Sequence, residues 1–279
     1  MARSRVRLDQ LLTERGLARS RAEAQAVILA GTVRLEGAEG KVLKPGQQVP
    51  ADASVSLVEP PRWASRAGVK LERALDSFGV GVEGHACLDA GASTGGFTDV
   101  LLSRGARVVY AVDVGRGQLV QRLRDDPRVV MMERTNLRTL HELPEPIDLA
   151  TLDLSFISLR LVLPAVRNLL TDTGRIVALV KPQFEAGKGK VPRGGVVRDP
   201  AVWEEVLQDV MRAAEGDDAG LHVYRVIRSP ITGVDGNVEF LVDIRRQPDV
   251  EAETAGFIDS LVDAVWGPFD DDDGEDGPV

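Results

Sequence analysis

The chain has 279 residues, 43% apolar and 28% charged, which is ordinary soluble composition with material for one large domain or two. A single cysteine, Cys87, leaves no disulfide partner, and three scattered histidines (His85, His141, His222) offer no zinc or haem spacing, so no metal is expected. No 18-residue apolar run occurs, and MARSRVRLDQ is not followed by an apolar signal core, which argues against membrane spanning and secretion and for a reducing cytoplasm.

The formal charge of −9 hides an asymmetry. Residues 1–75 hold 13 Lys and Arg against eight Asp and Glu, a balance of +5, whereas residues 248–279 hold 11 acids and no base. A basic head on an acidic chain fits a polyanionic partner at that end, or else a solvated charged surface.

In chain order, Arg7-Leu-Asp-Gln-Leu-Leu-Thr-Glu-Arg-Gly puts Leu8, Leu11 and Leu12 on one helical stripe that Gly16 ends. Ser20 and Glu23 have the spacing of a capping box, opening a helix that stops at Gly31. Short strand-like pieces follow at Thr32–Leu35, Gln48–Pro50 and Val55–Val58. Residues 1–58 thus make a compact α+β module, and the prolines of Glu59-Pro-Pro-Arg-Trp make residues 59–64 a stiff linker.

Residues 65–247 read as the main domain. A helix over 65–78 buries Leu71, Ala74, Leu75 and Phe78 and leaves Lys70 off that stripe. Strand-length apolar runs at 87–91, 108–114, 129–134, 149–155, 176–182, 222–230 and 237–245 alternate with helical patterns, which predicts an open α/β sheet. The last two runs have no helix between them and are expected to pair antiparallel. Residues 248–279 form an acidic tail, and its end, from Gly267, is too polar and self-repelling to pack.

In CLDAGASTGGFTDVLL, from Cys87 to Leu102, an apolar strand runs into a glycine-rich turn and then a helix. Gly91, Gly95 and Gly96 let bare backbone approach a ligand beyond the strand's carboxyl end. The spacing is not the G-x-G-x-x-G of a dinucleotide site, and Asp89 just ahead of it would repel pyrophosphate. It suits a cationic ligand such as S-adenosylmethionine, whose ribose diol would donate to Asp113 at the end of the next strand.

Lys70, Asp153, Lys181 and Glu239 stand at element ends facing the same rim, and Lys181 and Glu239 each interrupt an apolar strand, where a lone charge is costly. Together they suit methyl transfer to a hydroxyl. Lys181 would draw off the proton if Lys70 and burial lower its pKa, while Asp153 and Glu239 orient the lysines.

From about residue 3 to 245 the chain resembles the TlyA (haemolysin-like) family of ribosomal-RNA 2′-O-methyltransferases. RLDQLLTERGLARSRAEAQAVILAG, VRLEG and KPG resemble its S4-type RNA-binding module. CLDAGASTGGFTDVLL, DVGRGQL, DPRVVMMERTN, DLSFISL, LVKPQFEAGKGKV and GGVVRDP resemble its catalytic domain. The resemblance implies a Rossmann-like methyltransferase with a seven-stranded, mostly parallel sheet, joined to a small N-terminal S4-type domain. It assigns a catalytic tetrad to Lys70, Asp153, Lys181 and Glu239, and S-adenosylmethionine to Asp89, Gly91, Ala92, Ser93, Thr94, Gly95, Gly96, Phe97 and Asp113. The chain departs from the family at Val69, where a histidine is common. The acidic tail lies outside the resemblance.

Arg3, Arg5, Arg7, Arg19, Arg21, Lys41 and Lys44 concentrate charge on the small module, where they would bind phosphates with little sequence information. Ser20, Arg62 and Arg66 complete the expected RNA contacts. The expected partner is ribosomal RNA or a ribosomal subunit, met by a monomer. Two other readings stand beside this one: a non-catalytic ribosome-assembly factor retaining the pocket, and a membrane-active haemolysin.

Overall fold

A computed structural model of the chain describes residues 5–29, 32–38, 43–58, 62–187, 189–233, 235–248 and 255–268. Arg3, Lys41 and the acidic run from Asp270 lie outside the described residues. The chain divides into two compact units, one reaching Arg62 and the other beginning at Trp63.

The first unit comprises β1 (Arg5–Arg7), α1 (Leu8–Glu14), α2 (Arg21–Leu29), β2 (Val33–Leu35), β3 (Gln48–Pro50) and β4 (Val55–Leu57). β1 pairs antiparallel with β3, and β2 with β4. Leu8, Leu11 and Leu12 of α1 pack on Ala24, Ile28, Val33, Leu35 and Val49, as the helical stripe predicts. Ser20 Oγ accepts from the Glu23 amide at 3.2 Å, and Glu23 Oε2 reaches back to the Arg19 amide at 2.7 Å, which realises the capping box one residue early on its return arm. β1 was not legible, because Arg5-Val-Arg has the polarity of a surface turn.

The second unit holds α3 (Ala67–Phe78), β5 (Ala86–Ala90), α4 (Gly96–Ser103), β6 (Val108–Val112), α5 (Gln121–Arg124), β7 (Val129–Met132), β8 (Ile147–Leu152), α6 (Leu163–Leu169), β9 (Leu170–Val180), α7 (Pro182–Glu185), α8 (Pro200–Glu215), β10 (His222–Arg228), β11 (Phe240–Arg245) and α9 (Ala255–Trp266). Seven strands form one sheet in the order β10-β11-β9-β8-β5-β6-β7. The five from β9 to β7 are parallel, and β11 and β10 run antiparallel at one edge, as expected of the last two strands. Because β5 has β6 on one side and β8 on the other, the strand order reverses there, which opens a crevice beyond the carboxyl ends of these strands.

Side chains alternate between the two faces of the sheet. Leu88 and Ala90 join a core under α6, α8 and α9. Cys87, Val109 and Leu149 join a second core under α3, α4 and α5.

Two segments differ from the sequence reading. Trp63, expected in the linker, is buried against α3. A Cβ at Gly68 would lie 2.4 Å from its ring, and the next residue's amide, that of Ala64, donates to Asp99 Oδ2 at 2.8 Å. Within the segment expected to be a tail, α9 forms and covers β10. Ser260 Oγ accepts from the Val226 amide at 3.1 Å, and the Arg228 guanidinium donates to the carbonyls of Ala264 and Val265 at the helix's end.

Leu261→Ala is accordingly expected to cost about 2–4 kcal/mol in urea unfolding. Val262→Ala, at a side chain 52% exposed, should cost less than about 0.5 kcal/mol. Equal effects would contradict the packing of α9.

Candidate active site

The crevice at the strand-order reversal contains a cavity of about 300 Å3, and the strand register explains which residues reach it. β5 pairs with β8 at Ala90↔Leu152, so the next residues, Gly91 and Asp153, lie side by side. β11 pairs with β9 at Phe240↔Val180, so Glu239 lies opposite Lys181 just past the paired segment. Asp113 and Glu133 follow β6 and β7 in the same way. Each of these residues sits one step beyond a strand, where the ladder no longer claims its neighbours.

The glycine turn makes the close approach possible. Gly91 has φ +88°, and a Cβ there would lie 2.3 Å from the Asp153 carbonyl oxygen. A Cβ at Gly96 would lie 2.2 Å from Ser65 Oγ, so the first turn of α4 abuts the segment before α3. Gly91, Ala92, Ser93, Thr94, Gly96 and Phe97 line the cavity together with Lys70, Asp153, Lys181 and Glu239.

The four charged residues make two ion pairs. Lys70 Nζ donates to Glu239 Oε2 at 2.5 Å, with the lysine side chain only 9% exposed. The expectation that Lys70 lies off the buried stripe is thus corrected: it shares the buried side of α3 because Glu239, 169 residues away, gives its ammonium a partner. Lys181 Nζ lies 2.6 Å from Asp153 Oδ1 and donates to Ser155 Oγ at 3.2 Å. Ser65, Arg66 and Gly233 close the rim, and Arg66 donates to the Thr232 carbonyl there.

A smaller hollow adjoins the first, lined by Ala92, Ser93, Asp113, Gln118 and Glu133 among others. Asp113 Oδ2 accepts from the Ser93 amide at 2.8 Å and Oδ1 from the Gly115 amide at 2.6 Å, which leaves each oxygen a free lone pair. The Gly117 amide, followed by Arg124, holds the Glu133 carboxyl below its usual range.

Two predicted cofactor residues do not face either hollow. Asp89 is fully buried on the α4 side of β5, where its Oδ2 accepts from Thr98 Oγ–H at 2.6 Å and its Oδ1 has no partner. Strand alternation is the reason: Asp89 shares a face with Cys87, which lies in the α4 core. Burial pushes its carboxyl up to about 7, so it is not a dependable anion for a cationic ligand. Gly95, at φ +99°, caps α4 where a Cβ would meet Leu123 and Leu119, so it serves packing.

The expected RNA contacts divide likewise. Arg7 and Arg21 converge, with Gln25, on Asp9 Oδ2, which is fully buried, and the Arg7 guanidinium holds that carboxyl far below its usual range. Arg5 donates to the Gln48 carbonyl, and Arg19, Ser20, Lys44, Arg62 and Arg66 have exposed surfaces. Sequence reasoning missed Ser65, Ser155 and Gly233 on or beside the cavity. Only the adjacency of Ser155 to Asp153 could have signalled one of them.

Among the described residues no cluster of His, Cys, Asp and Glu could hold a metal ion, and no helix is long and apolar enough to cross a membrane.

A doubly wound seven-stranded sheet with a glycine turn beside a lysine–carboxylate cluster defines a Rossmann-like methyltransferase. The comparisons with known proteins agree. The FtsJ-like methyltransferase family matches residues 63–246, and the S4 domain matches residues 6–55. The 16S/23S rRNA (cytidine-2′-O)-methyltransferase TlyA of Mycobacterium tuberculosis is 47% identical over 271 residues, 95% of this chain and 98% of that protein. Hemolysin A of Brachyspira hyodysenteriae is 40% identical over 85% of this chain and 98% of its own. A solved hemolysin-type structure from Streptococcus thermophilus superposes with a TM-score of 0.69 at 40% identity, covering 95% of this chain and 98% of that one. The chain belongs to the TlyA family of S4-bearing, FtsJ-like methyltransferases.

The Asp89 environment gives a pH signature. Its folded-state pKa exceeds the unfolded value, so the stability held by the neutral acid is complete below the unfolded pKa and is lost as pH rises through about 7. Asp89→Asn should therefore flatten the decline in Tm between about pH 5 and about pH 8 seen for the native protein. Parallel curves for the two proteins would contradict this environment.

Proposed function

We infer that this protein transfers a methyl group from S-adenosylmethionine to the ribose 2′-hydroxyl of a cytidine in ribosomal RNA. The observation that carries this reading is the two lysine–carboxylate pairs, one buried and one partly buried, that line the same cavity as the glycine turn.

The residues present fit such a donor. Gly91 and Gly96 let the turn press against the Asp153 carbonyl and Ser65, so that bare backbone lines the cavity, and Asp113 retains acceptor capacity for a ribose diol beside it. When bound, S-adenosylmethionine supplies an electrophilic methyl group. The backbone of Gly91–Gly96 would hold its body and Asp113 its ribose.

The chain's own side chains then act on the acceptor. Lys181 Nζ is the group placed to take the 2′-hydroxyl proton, and Asp153 at 2.6 Å would stabilise the ammonium that results. Ser155 keeps Nζ aimed into the cavity. Lys70 adds a second cation near the oxygen as its charge develops, and Glu239 compensates that cation in the resting site. The rest of the rate gain comes from holding the acceptor in line, a positioning task.

The S4 domain supplies phosphate contacts, with affinity that falls steeply with salt. Folded RNA is read through shape and its 2′-hydroxyls, and the target nucleotide must leave its stack to enter the cavity. Acting on ribosomal RNA, the protein works in the cytoplasm.

Transfer of tritium from labelled donor to undermethylated ribosomal RNA tests the assignment. Lys181→Ala should lower the rate by about 100-fold or more while RNA binding stays within about twofold. Unchanged transfer in that variant removes Lys181 from the chemistry. An inactive native protein that binds the same RNA would instead support an assembly factor.

A further inference from the structure

The segments that leave β8 and β9 at the rim run on without strand pairing, yet the chemistry needs Lys181 of one held against Ser155 of the other. α7 contains only Pro182–Glu185, a single turn with Lys181 at its N-cap. One turn is too short to fix its own orientation. Strand register fixes where Lys181 leaves the sheet and Asp153 pairs its Nζ, but the unpaired segment that carries Ser155 needs a further tie to this turn.

The far end of that turn is where the two segments are tied. Glu185 is 4% exposed, and its Oε2 accepts from Ser158 Oγ–H at 2.5 Å while Oε1 accepts from the Leu159 amide at 2.7 Å. Arg160 donates back to the Glu185 carbonyl at 3.1 Å. One residue earlier, the Phe184 ring packs on Phe156 with centroids 5.0 Å apart. Phe156 has φ +63° and is 90% exposed, so its ring contact with Phe184 lies on the outside of the tie that Glu185 makes. Arg160 Nε also lies 3.6 Å from Oε2, so this buried carboxyl is fully engaged, and every partner comes from the opposite segment.

We propose that Glu185 is a positioning residue: by clamping residues 158–159 to the end of α7 it holds Ser155 and Lys181 in the geometry that proton transfer needs. This rests on reading Lys181 as the proton acceptor. Glu185 does not line the cavity, so its effect falls on the chemical step and not on binding. Burial also raises the Glu185 carboxyl above its usual range, in keeping with a group excluded from water.

The test uses the full-length protein with Glu185→Ala, Glu185→Gln and Ser158→Ala, measuring kcat and KM for RNA, the S-adenosylmethionine Kd by calorimetry, and kcat against pH. Glu185→Ala should lower kcat about tenfold or more and shift the acid limb of the pH profile, with Kd and KM within about twofold. Glu185→Gln should recover only part of kcat, since its amide oxygen still accepts from the Leu159 amide, whereas Ser158 Oγ already accepts from the Arg160 amide and guanidinium and cannot take the new NH2. Ser158→Ala, at a half-buried position, removes one donor and should lower kcat less, in the same direction; it decides the matter if Glu185→Ala does not fold. An unmoved kcat and pH profile in these variants overturns the proposal, as does a loss of S-adenosylmethionine affinity in proportion to kcat. Lys181→Ala in the same assay separates the two ideas. Transfer retained there overturns the base assignment, whereas transfer lost there, with the Glu185 and Ser158 variants unaffected, overturns only the clamp.

Discussion

The site depends on strand register. Along the rim, Glu239, Lys181, Asp153, Gly91, Asp113 and Glu133 each stand one residue beyond β11, β9, β8, β5, β6 and β7. Hydrogen bonding between strands fixes the order of an acid, a base, an acid and a glycine across four neighbouring chains. A slip of one residue in any of them would turn its charge to the opposite face of the sheet. The pairing that builds the core therefore also sets the spacing of these charges.

That arrangement has an electrostatic condition. Charges at a half-enclosed rim lose hydration, and only mutual pairing offsets the loss. The row itself supplies two carboxylates and one ammonium in Glu239, Lys181 and Asp153. Lys70 arrives from α3 to complete the second pair. α3 is in turn held by Trp63 against Gly68, and the Ala64 amide ties the same segment to Asp99 of α4. The start of the second unit thus helps to place Lys70, although Trp63 reads in the sequence as part of a stiff linker.

Much of the fold was legible because apolar runs of strand length alternate with helical stripes, and all seven sheet strands arise from such runs. Lys181 and Glu239 stood out in the sequence because charges that break apolar strands need partners. What escaped the sequence has a common cause, a partner far away in the chain. Lys70 reads as a surface lysine until Glu239 folds next to it, and Glu185 reads as one more acid until Ser158 and Leu159 reach it. α9 was hidden by Asp259 and Asp263 within an acidic segment, though Leu261, Ala264 and Val265 form a buried stripe. Asp89, expected in the cofactor site, escaped as well: alternation puts it on the same face as Cys87, but only the packing of Cys87 under α4 shows which face that is.

The central claim is methylation of a ribose oxygen by a site built on this row of charges. The most direct measurement is digestion to nucleosides and mass spectrometry of ribosomal RNA incubated with the protein and S-adenosylmethionine carrying a deuterated methyl group. The account predicts heavy 2′-O-methylcytidine, with the label on the ribose fragment. Label on a base, or none in any nucleoside despite binding of the RNA, would contradict it.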